Sequence, residues 1–177
     1  SWSEPICVGE KGSYPSLAVD STGTLHLTYR ERAERWQLLY RRKRPNQLWE
    51  APTCLAISPT PGYNHYMQTI SIGPDDSVHI TFQFHYAESG HASDCTGYLV
   101  AHVRSEDGGE SWFNEGSRCD TLPLTIESTR PAVKSVSGGL RIGNHVIDAN
   151  NRPCFFLSSS DVSAGEVVQG REGGWNR

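Results

Sequence analysis

The chain has 177 residues, 36% hydrophobic and 20% charged, with a formal net charge of −4. That length holds one ordinary domain with a sizeable core. The mild acidic balance argues against nucleic acid as the main partner, and no apolar run approaches the ~18 residues of a membrane-spanning helix. Ser1-Trp2-Ser3-Glu4-Pro5 is not a charged-then-apolar signal peptide, and no initiator Met is present, so a processed or excised chain is expected.

Seventeen Gly and ten Pro against one Met read as turn-rich β structure. No long stretch carries a helical apolar face. Two segments alternate with period two, Thr24–Tyr29 and Ser77–Phe82, each bounded by turn residues. They belong to a repeat: Ser16–Tyr29 superposes without gaps on Thr69–Phe82, each a strand, a short turn and a strand. A weaker copy, Asn144–Leu157, places Cys154 where the first two have His26 and His79. Second apolar strands follow at Leu38–Arg41, Tyr98–Val103 and Glu166–Gln169. Trp2, Trp49, Trp112 and Trp175 mark the ends of the units. The unit is a four-stranded antiparallel meander, the size of a propeller blade. The fold class is therefore all-β, a partial β-propeller of three blades at approximately 9–54, 60–117 and 124–177.

Ser105-Glu106-Asp107-Gly108-Gly109-Glu110-Ser111-Trp112 fits the Asp-box pattern S-x-D-x-G-x-T-W, with Ser for Thr. Asp107 can accept N–H bonds inside the turn, Gly108 and Gly109 allow positive φ, and Trp112 can pack between sheets. Degenerate copies precede Trp49 and include Arg171–Trp175. At the repeat level the whole chain resembles the BNR-repeat, or Asp-box, β-propellers of the sialidase-like superfamily. In that superfamily the Asp-box is a structural turn away from the catalytic face, so Ser105, Asp107, Gly109 and Trp112 are expected to be structural.

Five Cys leave at least one unpaired. Cys95 and Cys119 lie equidistant from residue 107, so a disulfide across the hairpin is one expectation, and two free thiols the other. The disulfide would favour a secreted or periplasmic location. Cys7 and Cys54 share a repeat position and are expected to pack as small apolar side chains. No C-x-x-C occurs. No cofactor is expected, and a structural metal on scattered His and Cys has little support.

Seven His is a high count. His26 and His79, inside equivalent strands, read as structural. His65 opens an inner strand and His85 closes the next. With the turn between them near residues 74–76, the two ends meet on one side of the blade. Asn64, His65, Tyr66, His85 and Tyr86 then gather at one rim, suited to sugar binding or acid–base chemistry. A polar loop cluster without a ligand is the other reading.

Within the same superfamily, Asn64-His65 and His85 resemble the Asn/His motif and second His of BNR-repeat polysaccharide lyases acting on uronic-acid glycans such as ulvan. That resemblance implies His and Tyr as base and acid, and an Arg neutralising the uronate carboxylate. Tyr66, Tyr86 and Arg130 are assigned only by proximity or type. Resemblance to sialidases proper is weaker: their Arg-Ile-Pro motif is absent. Tyr29-Arg30-Glu31-Arg32 offers a carboxylate clamp through Arg30, although Arg30, Arg32, Arg35, Arg41, Arg42 and Arg44 also read as one solvated basic stretch.

The expected function is a carbohydrate-active propeller binding or processing an acidic glycan. Catalytic candidates are His65, His85 and Tyr66; Asn64, Tyr86, Arg30 and Arg130 are substrate-binding candidates. The alternative is a non-enzymatic scaffold or protein-interaction propeller. Three blades do not close a ring, so either a longer propeller or a homodimer of six blades is expected. No membrane partner is expected.

Overall fold

The computed structural model describes residues 4–159, 165–171 and 174–176. Trp2, and Glu172 and Gly173 of the last degenerate turn, lie outside the described residues. Three antiparallel sheets follow one another along the chain. The first is β1 (Gly12–Val19), β2 (Leu25–Glu31), β3 (Gln37–Lys43) and β4 (Thr53–Ile57), in that order. The second is β5 (Thr69–Ile72), β6 (Val78–Tyr86), β7 (Thr96–Ser105), β8 (Phe113–Asn114) and β9 (Ser117–Arg118), with β10 (Val133–Lys134) also on β7. The third is β11 (Arg141–Ile147), β12 (Pro153–Ser158), β13 (Glu166–Arg171) and β14 (Gly174–Asn176).

The repeat read from the sequence is a repeat of register. His26 stands between Ala18 and Arg42, His79 between Ser71 and Arg104, and Cys154 between Val146 and Gln169. Each inner hairpin is closed by an aspartate. Asp20 accepts the Thr22 and Thr24 N–H groups, Asp75 that of Ser77, and Asp148 those of Asn150 and Arg152. The second sheet exceeds four strands because β8 is two residues long and covers only Val103 and Arg104 of β7. The rest of that edge is taken by β10, so its N–H and C=O groups are paired rather than exposed.

Alternation along the second strand of each sheet decides how the sheets stack. Residues 26, 28 and 30 of β2 share one face, with Leu38 and Tyr40 of β3 paired beside them. Against that face pack Ile80, Phe82, Phe84, Ala101 and Val103 of the second sheet, with Trp112 edge-on to Tyr40 at 4.9 Å. The second sheet's other face carries His79, Thr81, Gln83 and Val100. Val100 packs with Leu140, Ile142, Phe155, Leu157 and Val168 around the third sheet. Inner strands β1, β5 and β11 lie side by side. The outermost sheet faces expose apolar side chains: Leu17 and Val19 on the first sheet, Phe156 and Val167 on the third.

The turn at Ser105–Trp112 is held by one carboxylate. Asp107 accepts the Ser105 hydroxyl at 2.8 Å, the Glu110 and Ser111 N–H groups at 3.0 and 2.9 Å, and the Ser111 hydroxyl at 2.6 Å. These bonds hold its pKa at about 2, against burial, which raises it. Gly109 has φ +98, and a Cβ there would fall 2.3 Å from the Tyr40 hydroxyl. We expect Asp107→Ala to lower stability by ~1–3 kcal/mol, read as a fall in the urea midpoint at unchanged m. No change would show that the glycines alone hold the turn.

Three expectations are corrected. All five cysteines are free thiols. Cys95 sits at the start of the ten-residue β7, whereas the chain reverses after Asn114, so Cys119 returns to Trp112 instead of running back along β7. The disulfide that pointed to an oxidising compartment is therefore not formed. Cys7 is exposed and does not share the packing of Cys54, whose thiol burial pushes up to about 11. Nor are the arginines from Arg30 to Arg44 one solvated stretch. Arg30 and Arg42 are buried, Arg35 and Arg41 donate to backbone carbonyls, and Arg44 pairs with Glu50.

Candidate functional site

The site lies where the inner strands begin and the second strands end, at the opposite end of β7 from the Ser105–Trp112 turn. Asn64 stands in for a strand residue here. It forms an isolated bridge with Tyr86, and its Oδ1 accepts the His85 N–H at 2.9 Å, beside the β6–β7 bulge. His65 donates its backbone N–H to the His85 carbonyl at 2.8 Å. The two imidazoles are thereby set 6.0 Å apart between centroids.

Arginines flank the pair on both sides. Arg30 ends β2 and is 5% exposed. Its guanidinium lies over the rings of Trp36, Tyr14 and Tyr63 at 4.3, 4.6 and 4.8 Å, and donates to Ser13 Oγ at 3.0 Å. Arg141 opens β11 and is exposed; its guanidinium lies against His85, 2.6 Å from Nε2. Gln83 Nε2 lies 2.8 Å from His85 Nδ1. Among the described residues neither arginine has a carboxylate in ion-pair range, whereas Arg42, Arg44, Arg104 and Arg152 each have one. The site thus carries two uncompensated positive charges.

Both histidines are neutral at pH 7. Burial lowers His65 to about 4, helped by Arg30 and Arg141; burial likewise lowers His85 to about 4, helped by Arg141 and His65. Tyr14 packs on His65 at 4.6 Å between ring centroids, and Tyr63 at 6.3 Å. Beside the aromatic cage a recess of about 520 Å³ is lined by Lys11, Gly12, Ser13, Arg32 and Trp36. Among the described residues no three His, Cys, Asp or Glu side chains form a metal-binding group, and no helix is long and apolar enough to cross a membrane.

The structure brings together Asn64, His65, His85 and Arg30. Tyr66 and Tyr86 adjoin Asn64 through the backbone bridge and side-chain contact, but their hydroxyls are directed away from the two imidazoles, and Arg130 lies elsewhere. Tyr66 alternates away from His65 into the core, fully buried, and donates its hydroxyl to the Trp36 carbonyl at 2.7 Å. Burial pushes its pKa well above 10. Tyr86 turns to the face opposite His85 and stacks on Tyr98 at 5.0 Å. Arg130 lies against the β8–β9 hairpin, bonded to Ser117 and Asn114. Sequence reasoning missed Arg141, Tyr14, Tyr63, Trp36 and Gln83. A signal for Arg141 exists in the repeat: it pairs with Ser158 as Ser13 pairs with Arg30.

Stacked antiparallel sheets with adjacent inner strands, and a polar site at one end of them, define a segment of a β-propeller. A model of the BNR repeat-containing family matches residues 4–176, and the chain belongs to that family. Among solved structures, an ulvan lyase of polysaccharide lyase family PL25, determined bound to a glucuronate–rhamnose 3-sulfate unit, superposes with a TM-score of 0.76. It is 16% identical, over 93% of this chain and 42% of the lyase. A second polysaccharide lyase gives a TM-score of 0.60 at 14% identity, over 92% of this chain and 39% of that one. A Hadza microbial sialidase gives 0.59 at 13% identity, over 94% and 37%. At these identities the likeness establishes the fold. The chain spans about two-fifths of the length of these enzymes. No curated protein matches it by sequence.

Proposed function

We propose that the end of the sheets bearing Arg30, His65, His85 and Arg141 binds an acidic sugar of a polysaccharide and cleaves it by β-elimination. The observation that carries this reading is the pair of neutral histidines 6.0 Å apart, flanked by two arginines that have no carboxylate partner among the described residues. The fold shared with polysaccharide lyases supports it.

The uronate carboxylate docks on the exposed Arg141, while caged Arg30 supplies a fixed positive field. Withdrawing charge from the carboxylate acidifies the proton at C5. A histidine imidazole takes that proton, the C5–H electron pair becomes the C4–C5 double bond, and the C4–O bond breaks. The departing oxygen takes a proton from Tyr14, the tyrosine nearer His65.

A pKa of about 4 makes a weak base, and the anionic substrate corrects this in part. Its carboxylate offsets the repulsion that Arg141 exerts on both imidazoles. Burial, the larger cause, stays, so the His65 and His85 titration midpoints are expected to rise only part of the way back when a uronate oligosaccharide binds, measured by NMR of the ring protons. Unmoved midpoints at saturation would remove the carboxylate from this site. Function itself is tested on a panel of uronate-containing polysaccharides, following the absorbance of unsaturated uronate together with glycan-array binding. Absence of both overturns the reading.

Exposed Leu17 and Val19 at one end of the stack, and Phe156 and Val167 at the other, favour a second reading as a scaffold whose outer sheets dock further blades. Light scattering distinguishes a self-closing dimer from a monomer.

A further inference from the structure

A cavity of about 620 Å³ lies between the second and third sheets, at the end that carries the Ser105–Trp112 turn. It is therefore at the opposite end of the strands from the histidine–arginine site. The repeat explains why a cavity is there. Between the first and second sheets the matching position is closed and only about 90 Å³ remains. Gly108 and Gly109 cover Tyr40, whose hydroxyl donates to the Gly108 carbonyl at 3.0 Å. Arg42 donates to the same carbonyl at 2.7 Å. One sheet further on, His102 opposite Thr81 replaces Tyr40 opposite Thr28, and Arg104 replaces Arg42. In the third sheet Arg171 pairs with Gly174, so two residues of sequence separate the strands where the second sheet has the Ser105–Trp112 turn.

A hydrogen-bond chain fixes what His102 presents. The Asp75 carboxylate accepts the Ser77 hydroxyl, so Ser77 Oγ accepts from His79 Nε2 at 2.7 Å. Neutral His79 then has its lone pair on Nδ1, which accepts from His102 Nε2 at 3.0 Å. Neutral His102 then presents Nδ1 as an acceptor, for which no donor is found among the described residues, whereas the Tyr40 hydroxyl is used by the Gly108 carbonyl. The Trp175 indole stands edge-on to His102 at 5.8 Å, and Phe113 lines the same space. Glu115 adds a carboxyl whose pKa burial raises. Arg104 is taken up by Asp75 and Glu106, and Arg152 by Asp148. Arg171 also lines the space, and among the described residues it has no ion-pair partner, but the Glu106 and Glu115 carboxyls share the same lining. Aromatic walls with mixed donors and acceptors of both signs suit hydroxyl groups.

We propose that this cavity is a second carbohydrate site, taking a neutral sugar whose ring packs on Trp175 and Phe113 and whose hydroxyl donates to His102 Nδ1. It is independent of the histidine–arginine site. The test is an NMR titration of the protein with cellotriose, maltotriose, mannotriose and galactotriose, each up to millimolar concentration, following the Trp175 indole N–H and the His102 ring. At least one is expected to shift both signals saturably. Phe113→Ala is expected to weaken that binding about tenfold through loss of one aromatic wall. His102→Tyr, which installs the first sheet's residue, is expected to weaken it as well, while Arg141→Ala leaves it unchanged. Thermal melts identify any variant that fails to fold, and the wild-type titration decides the matter without variants. No shift with any of the four sugars overturns the proposal, as does loss of binding in Arg141→Ala with Phe113→Ala unaffected.

Discussion

Between pH 7 and pH 4.5 the protein is expected to lose most of its stability, and histidine burial is the cause. Burial lowers five histidines, four of them buried almost completely: His79 and His85 to about 4, His145 to about 3, and His102 well below its ordinary value; half-buried His65, also at about 4, adds to the same trend. The folded state keeps these imidazoles neutral, whereas an unfolded chain protonates them near 6.5. As pH falls below 6.5, the unfolded state binds protons that the folded state refuses, so stability falls with pH. Each such histidine contributes a slope of up to ~1.4 kcal/mol per pH unit. Four together reach roughly 5 kcal/mol per unit near pH 5, set against a total stability of order 5–15 kcal/mol.

One carboxyl works against this slope: burial raises Glu115, so its folded form takes up a proton before the unfolded chain does and offsets at most one histidine's share. Asp20 and Asp107 are held at about 2 against an unperturbed 3.8, so their stabilisation is present above 3.8 and lost only below it. Urea midpoints at pH 8, 7, 6 and 5 measure the effect, and a flat profile from 7 to 5 would refute it. His145→Leu sharpens the measurement. His145 is buried, and among the described residues neither ring nitrogen has a partner. Its removal is expected to take about one proton from the slope and to raise stability at pH 5.

Under the proposed β-elimination, with His85 beside Arg141 as the proton acceptor, His85→Ala is expected to reduce glycan cleavage by ~10²–10⁴, the range for loss of a positioned acid or base. Arg141→Ala is expected to act differently, raising KM strongly by removing the carboxylate's partner. Tyr66→Phe supplies the contrast. The Tyr66 hydroxyl is spent on the Trp36 carbonyl inside the core, so cleavage should stay within about twofold while stability falls by ~1 kcal/mol. Tyr14→Phe should instead lower kcat with little change in stability, since Tyr14 is exposed. A Tyr66→Phe protein with full stability and no cleavage would reverse the roles given to the two tyrosines.

The repeat was legible in sequence because register follows from period-two alternation and turn chemistry, both local properties. Ser16–Tyr29 and Thr69–Phe82 could be superposed from residues alone, and His26 and His79 indeed hold one register position. The His65–His85 meeting was legible for the same reason: both belong to a single hairpin, and a hairpin brings its two ends together. Tyr66 and Tyr86 were misplaced although they neighbour those histidines in sequence, because adjacent residues on a strand point to opposite faces. Arg141 was missed because it comes from the next sheet, and no local pattern states which sheet's edge abuts which.

The sequence alone determined the inner hairpins, their turns and the register they share, since these are settled within a few tens of residues by alternation and hydrogen bonding; it did not foresee β10 joining the second sheet. Tertiary stacking decided the rest. It caged Arg30 in Tyr14, Trp36 and Tyr63, set Arg141 against His85, and covered Tyr40 with Gly108 and Gly109 while leaving His102 uncovered. These outcomes depend on which face of one sheet meets which face of the next, and that is fixed by shape and burial across the whole stack rather than by any one segment.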